Sequence, residues 1–329
     1  MTFLFVLDPL EALKPAKDSS IAMMRELQRR GHEVWACTPR TLAWEAGAVW
    51  AESARRIALP DGTGGAPWFA VQETRSRALA EFDAVLMRKD PPFDLEYLYA
   101  THLLEAAVRA PRPARVFNDP RALRDHNEKL AITEFAEFIP PTLVSSDPAR
   151  ILRFREEHGG IVVKPLDGMG GAGVFRIEAG DPNTNAILET VTRLGTRTVM
   201  AQRFLPEIAQ GDKRILLIGG APAPFALARI PKPGDARGNL AAGGTGRAQP
   251  LSARDRQIAE HVGPVLAARG LLLVGLDVIG DFVTEINVTS PTCFVEIEAQ
   301  TGFSVASMFV EELERRVGIP SAPAMRKRD

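Results

Sequence analysis

The stretch Ile161-Val162-Val163-Lys164-Pro165-Leu166-Asp167-Gly168-Met169-Gly170-Gly171-Ala172-Gly173-Val174 governs how the rest of this chain is read. Gly168, Gly170 and Gly173 satisfy G-x-G-x-x-G, but that pattern marks a dinucleotide site only where it opens a helix. Here Val174-Phe175-Arg176-Ile177 resumes an alternating strand. No Lys-Ser/Thr pair follows the glycines, so the segment is not a Walker loop. What remains is strand, glycine loop, strand, a geometry that folds backbone N–H groups over nucleotide phosphates. A glycine hairpin without a ligand is the competing reading. Lys164 favours the ligand, because an unpaired charge at the end of an apolar strand is costly and a phosphate would pair it. Lys129, in the first turns of a helix capped by Asn127, offers a second cation, although alone it reads as a solvated surface residue.

Further along, residues 271–291 read as two apolar strands meeting at Gly280-Asp281 and interrupted by Asp277, Glu285 and Asn287. Glu285 and Asn287 are two apart, so on a strand they share one face. Hard oxygen ligands on a rigid strand suit Mg²⁺, which is held by one or two carboxylates together with substrate phosphates. Asp277 tests the register. A two-residue Gly280-Asp281 turn pairs Asp277 with Thr284, on the wrong face, whereas a three-residue connection places it opposite Glu285. If all three residues bind metal, the hairpin must contain an odd-length connection or a bulge. A half-exposed hairpin whose polar face meets water is the bland alternative.

Working outward, the first third alternates strand and helix. Strands are expected at Phe3–Leu7, Glu33–Cys37 and Phe82–Met87, with helices at Ser20–Arg30 and Glu96–Arg109. Such a βαβ series implies a parallel sheet covered on both faces. Residues 40–80 are less legible, and Pro111, Pro113 and Pro120 punctuate a boundary. Strands then follow at Thr142–Ser145, Ile161–Lys164, Val174–Ile177, Thr198–Phe204, Arg214–Ile218 and Phe225–Ile230. Helices are expected over Asn127–Phe135, Pro148–His158, Ser252–Arg269 and Ser304–Val317. Pro231–Gly246 is a long glycine-rich loop, read as disordered or as a lid, with Arg237 and Asn239 between its glycines.

Composition narrows the class. Among 329 residues, 40 Lys+Arg oppose 41 Asp+Glu, a net charge of −1 that argues against a nucleic-acid partner. Only 8 of the cations are lysine, so a lysine inside a motif stands out, whereas a single arginine does not. Arg214 and Arg229 stand at strand edges, and Arg88 follows the strand Phe82–Met87, where open parallel sheets bind ligands such as a carboxylate. Two cysteines, Cys37 and Cys293, make no disulfide framework and point to a reducing compartment. No run of apolar residues is long enough for a membrane span, and a soluble cytoplasmic protein is expected.

The ordered set Lys129, Lys164 with its glycines, Arg214, Arg229, Asp277 and Glu285-x-Asn287 resembles the ATP-grasp superfamily. Four longer stretches, 87–94, 164–171, 237–244 and 284–291, look like bacterial glutathione synthetases, as does Asp8-Pro9 with Lys17-Asp18-Ser19-Ser20. The resemblance covers nearly the whole chain apart from residues 38–78 and the tail after about 318. It implies an α/β architecture: an N-terminal doubly wound parallel-sheet domain (1–124), then an ATP-grasp module of two α+β subdomains (125–202 and 203–329). It also implies ATP-dependent ligation of γ-glutamylcysteine to glycine through an acyl phosphate, in a homo-oligomer, by family habit a tetramer.

By the same resemblance, Lys129, Lys164, Gly168, Met169, Gly170 and Gly171 would hold the ATP phosphates, and Gln202 would lie by the adenine. Asp277, Glu285 and Asn287 would bind two Mg²⁺, with Mn²⁺ as a substitute; Arg214 and Arg229 would stabilise the reacting groups. Arg88, Arg237 and Asn239 would face the peptide. Two alternatives stay open: an ATP-grasp carboxylate–amine ligase with other substrates, and a non-catalytic ATP-binding protein.

Overall fold

The computed structural model describes residues 1–60, 67–232, 238 and 243–318. The chain divides into two compact units. The first holds Met1–Asp90, Leu98–Arg121 and the chain from Thr292 onward; the second holds Pro91–Tyr97 and Ala122–Pro291.

The first unit begins with β1 (Thr2–Val6), α1 (Ser19–Arg29) and β2 (Glu33–Cys37). β1 is continuously apolar because both of its faces are covered, and Phe3 to Val6 are fully buried. Asp18 caps α1, its Oδ1 accepting from the Ile21 N–H at 2.9 Å. Residues 40–80 then form β3 (Leu42–Glu45), β4 (Ala48–Ala58) and β5 (Ala70–Ala78), an antiparallel meander. Two register shifts along the β4–β5 pairing interrupt the in–out alternation, which is why this region carries no clean period in its sequence. β6 (Ala84–Met87), α2 (Leu95–Val108), β7 (Val116–Phe117) and α3 (Pro120–Asp125) follow.

The sheet order is β3-β4-β2-β1-β6-β7, with β5 on β4. The parallel arrangement expected from the sequence holds for β2, β1, β6 and β7. The meander makes the whole sheet mixed, joining β2 antiparallel.

In the second unit, β8 (Thr142–Ser145), α4 (Pro148–His158), β9 (Ile161–Pro165), β10 (Phe175–Ile177), α5 (Thr184–Thr192) and β11 (Val199–Arg203) form one layer pair. The antiparallel sheet runs β10-β9-β11-β8. Its core gathers Ile151 of α4, Leu188 and Val191 of α5, and Ile161, Val163, Ile177 and Val199 of the strands.

A second sheet is built from β12 (Asp212–Ile218), β13 (Ala221–Pro222), β14 (Phe225–Ile230) and β15 (Thr245–Pro250). β16 (Leu273–Ile279) and β17 (Phe282–Asn287) complete it, in the order β15-β14-β12-β16-β17 with β13 on β12. The helix α6 (Ala253–Ala268), which packs on β12 and β13, opens on a reciprocal cap: Ser252 Oγ accepts from the Asp255 N–H, and Asp255 Oδ2 from the Ser252 N–H. The expected loop 231–246 ends sooner than its composition suggests, because Thr245 and Gly246 already pair with Ile230 and Arg229.

Two closing helices, α7 (Phe294–Thr301) and α8 (Val305–Val317), pack on α1 in the first unit. Arg30 and His32 both reach Glu314, at 2.6 and 2.7 Å.

Candidate functional site

The glycine loop spans the gap between β9 and β10, whose last pair is Phe175 with Val163. Gly170, Gly171 and Gly173 all have positive φ. A Cβ on Gly173 would lie 2.9 Å from the Pro165 side chain, in a backbone conformation that only glycine adopts cheaply. Gly168, Met169, Gly170 and Gly171 line a cleft with Lys164 on one wall. Lys164 Nζ donates to the Thr284 carbonyl at 3.0 Å. Burial lowers its pKa below the ordinary lysine value; the Glu285 charge opposes that shift and Lys129 reinforces it.

Lys129 is 5% exposed, which overturns the reading of this residue alone as a solvated lysine. Asn127 Oδ1 accepts from the N–H groups of Lys129 and Leu130, and the chain continues as a kinked 3₁₀ segment, Leu130–Phe138, in place of the α-helix expected there. From this turn Lys129 Nζ donates to the Gly168 carbonyl at 2.7 Å and to Glu285 Oε1 at 3.0 Å. One ammonium thus touches both the glycine loop and the acidic hairpin.

That hairpin meets the register condition by a bulge. Ile279 pairs with Phe282 and Val278 with Val283, as a two-residue turn demands; the register then shifts, and Asp277 faces Glu285. Thr284 is the extra residue. Its carbonyl receives Lys164, and its hydroxyl donates to the Asp277 carbonyl at 3.3 Å. Gly275 pairs with Asn287, so Asp277, Glu285 and Asn287 share one face.

On the neighbouring strand Arg214 is the direct partner of Asp277, and Asp212 the partner of Arg229. Arg214 Nε donates to Asp277 Oδ1 at 2.6 Å, and Arg229 Nη2 donates to Asp277 Oδ2 at 2.8 Å and Asp212 Oδ2 at 2.5 Å. Burial alone would raise the Asp277 pKa, but the two guanidiniums win and hold it well below the usual carboxylate range. Asp212 goes the other way: burial raises it despite Arg229. Its Oδ1 is buried without a hydrogen-bond partner among the described residues. Lys213, on the opposite face of β12, pairs with Asp255 and the Gly280 carbonyl, so it belongs to the scaffold.

The other end of the cleft is apolar. Gln202, 3% exposed, donates through Nε2 to Thr142 Oγ1 at 3.1 Å and lies beside Val162, Phe204, Leu205 and Ile208.

Arg88 lies in the first unit, nearly buried, with Nε donating to Ser20 Oγ at 3.0 Å. Arg237 and Asn239 fall outside the described residues. Sequence reasoning missed Glu128, Asp212 and Thr284, as well as the apolar wall. Glu128 beside Lys129 reads in sequence as an ordinary charged pair, and the bulge that makes Thr284 matter leaves no compositional mark. Among the described residues no three of His, Cys, Asp and Glu gather as a metal cluster. The acidic set on the hairpin is two carboxylates and one amide.

A glycine loop between antiparallel strands, facing a carboxylate-bearing hairpin across a cleft with one buried and one half-buried lysine, defines the ATP-grasp class. In fold the chain is similar to the crystal structure of a D-cycloserine synthetase, with a TM-score of 0.65 over 96% of this chain and 99% of that one at 17% identity. Residues 1–124 match the prokaryotic glutathione synthetase N-terminal domain, and residues 128–302 match the ATP-grasp domain of the same enzymes. The glutathione synthetase of Bordetella parapertussis is 58% identical over 321 residues, covering 97% of this chain and all (100%) of that one. That of Nitrosomonas europaea is 57% identical over 317 residues, covering 96% and 98%. The chain belongs to the prokaryotic glutathione synthetase family. Among the described residues no helix is long and apolar enough to cross a membrane.

Proposed function

We propose that this chain joins γ-glutamylcysteine to glycine at the expense of ATP, releasing glutathione, ADP and phosphate. The observation that carries the reading is the meeting of Lys129, Gly168 and Glu285, which puts the glycine loop and the acidic hairpin at one cleft.

In this reading Lys129, Lys164 and the backbone N–H groups of Gly168, Met169, Gly170 and Gly171 hold the phosphates, and Gln202 with the apolar wall holds the adenine. The cysteinyl carboxylate of the dipeptide attacks the γ-phosphorus; the bond to the β–γ bridging oxygen breaks, and ADP departs. Glycine's neutral amine then attacks the acyl phosphate carbonyl, loses a proton, and phosphate leaves with the C–O bond. No covalent bond to the protein is needed, so the work lies in positioning and charge neutralisation. Arg214 and Arg229 are assigned to the negative charge of the acyl phosphate and of the tetrahedral intermediate. Arg88, Arg237 and Asn239 are assigned to the peptide.

The donor set fits Mg²⁺. Asp277, Glu285 and Asn287 offer hard oxygens from one face of a hairpin, and they are the residues that would hold two Mg²⁺, or Mn²⁺ in their place. Bound there, the metal would neutralise phosphate charge. Lys129 pairs with Glu285, and Arg214 and Arg229 pair with Asp277. The reading places the enzyme in the cytoplasm and, by family resemblance, in a homotetramer.

The test is a coupled ADP-release assay with γ-glutamylcysteine and glycine, omitting each in turn and replacing the dipeptide by others. Release that depends on both supports the reading; release that ignores glycine, or prefers a different dipeptide, overturns it.

A further inference from the structure

β17 is the edge strand of its sheet, so its outward N–H groups have no strand to pair with. One residue supplies acceptors at the end of that edge and just beyond it. The backbone carbonyl of Glu128 accepts from the Ile286 N–H at 2.9 Å. Its side-chain Oε1 accepts from the N–H of Val288 at 2.9 Å, the N–H of Thr289 at 3.0 Å and the Thr289 hydroxyl at 2.8 Å. These contacts flank Asn287 and begin one residue after Glu285; the two side chains share a strand face, with Glu285 lining the cleft and Asn287 Nδ2 donating to the Gly275 carbonyl at 3.2 Å. The residues on either side of Glu128 hold the glycine loop: Asn127 Nδ2 donates to the Leu166 carbonyl at 3.2 Å, and Lys129 Nζ to the Gly168 carbonyl at 2.7 Å. Three consecutive residues therefore bind the loop with two side chains and the hairpin edge with the third.

We propose that Glu128 is a positioning residue that couples nucleotide binding to metal binding, by pinning the edge of β17 so that Glu285 and Asn287 keep one geometry relative to the glycine loop. The inference rests on the assignment of the cleft to ATP and Mg²⁺. It concerns the reach of the side chain rather than its charge. An amide oxygen at the same place accepts from the same three donors, whereas a carboxylate one methylene shorter is withdrawn from them.

The experiment is calorimetric titration of the full-length protein with a non-hydrolysable ATP analogue, with and without Mg²⁺, giving the factor by which Mg²⁺ strengthens binding. In Glu128→Asp that factor is expected to fall by about tenfold, the scale of one hydrogen bond to a charged group, while affinity without Mg²⁺ holds. Glu128→Gln is expected to keep most of the factor. Wild-type coupling in Glu128→Asp overturns the proposal, and so does a loss in Glu128→Gln as large as that in Glu128→Asp. Should Glu128→Asp not fold, judged by circular dichroism, Thr289→Val removes a donor from the other side, and undiminished coupling there overturns the proposal equally. If the wild-type protein fails to bind the analogue at all, the ATP assignment falls first and takes this inference with it.

Discussion

The glycine loop and the acidic hairpin face the same cleft but are made differently. The hairpin is cross-linked: Asp277 is 2% exposed and held by two arginines, Gly275 leaves room for the Arg214 side chain, and Glu128 closes the edge. The loop is anchored near its base, by Lys129, Asn127 and an ion pair of Arg197 with Asp167; Gly170 at its tip has nothing within 4 Å of a would-be Cβ, and Met169 is 45% exposed. The difference teaches a division of labour. On the proposed reading, the charged oxygens assigned to a metal are preorganised, because reorganising buried charge during reaction is costly. The backbone N–H groups assigned to phosphate are left where they can adapt.

The largest expected effect lies on the hairpin. Glu285→Ala should cut ligation by about a thousandfold, several kcal/mol of transition-state stabilisation, with an unchanged circular dichroism spectrum. Full activity at saturating Mg²⁺ would remove Glu285 from the metal set.

Arg214→Met sharpens the contrast by striking rate and stability together. It removes a buried partner of Asp277, so about 3 kcal/mol of stability should go, read from urea unfolding, along with about a hundredfold in kcat. If the unfolding midpoint does not move, the hairpin is not the cross-linked element described.

Next comes a pair of glycine substitutions. Gly275→Ala places a Cβ 2.8 Å from Arg214 Cδ and should cost about 1–3 kcal/mol while lowering kcat. Gly170→Ala meets no neighbour and carries only its positive φ, for about 1 kcal/mol, with the effect on the KM for ATP rather than on kcat. Equal effects of the two on kcat would erase the distinction between rigid hairpin and adaptable loop.

The smallest effect belongs to charge outside the cleft. Hydrogen bonding from Arg29, with Arg30 and against burial, lowers the Glu26 pKa to about 2. A depressed carboxylate stabilises the fold above its unfolded value of about 4.3 and loses that contribution as pH falls towards 2. Glu26→Gln should therefore flatten the acid limb of the stability profile in that window and leave ligation at neutral pH unchanged. A change in kcat would show that scaffold charge and site charge are not separable.

Much of this was legible from residue order. The apolar run of β1 and the Ser252 helix start are local, and local signals survive without tertiary context. Lys164 before its glycines and Glu285-x-Asn287 on one strand face were legible for the same reason. Lys129 was legible as a candidate yet looked exposed, because burial of a lysine depends on what packs over it. The β3–β5 meander was hidden by its register shifts, and α7 gave no signal separable from the turn that precedes it.

The sequence by itself determined which chemistry the chain can support, since residue type and near-neighbour spacing decide what can ligate oxygen or cradle phosphate. It also posed the register of the acidic hairpin as a condition to be met. Only the tertiary structure decided how that condition is met, through a bulge at Thr284 and not through the turn, because a two-residue turn and a shifted register are both compatible with the same letters. It alone decided that Glu128 and Lys129, adjacent in sequence, reach the hairpin in two different ways: contacts between residues some 160 positions apart arise from packing and carry no local signature.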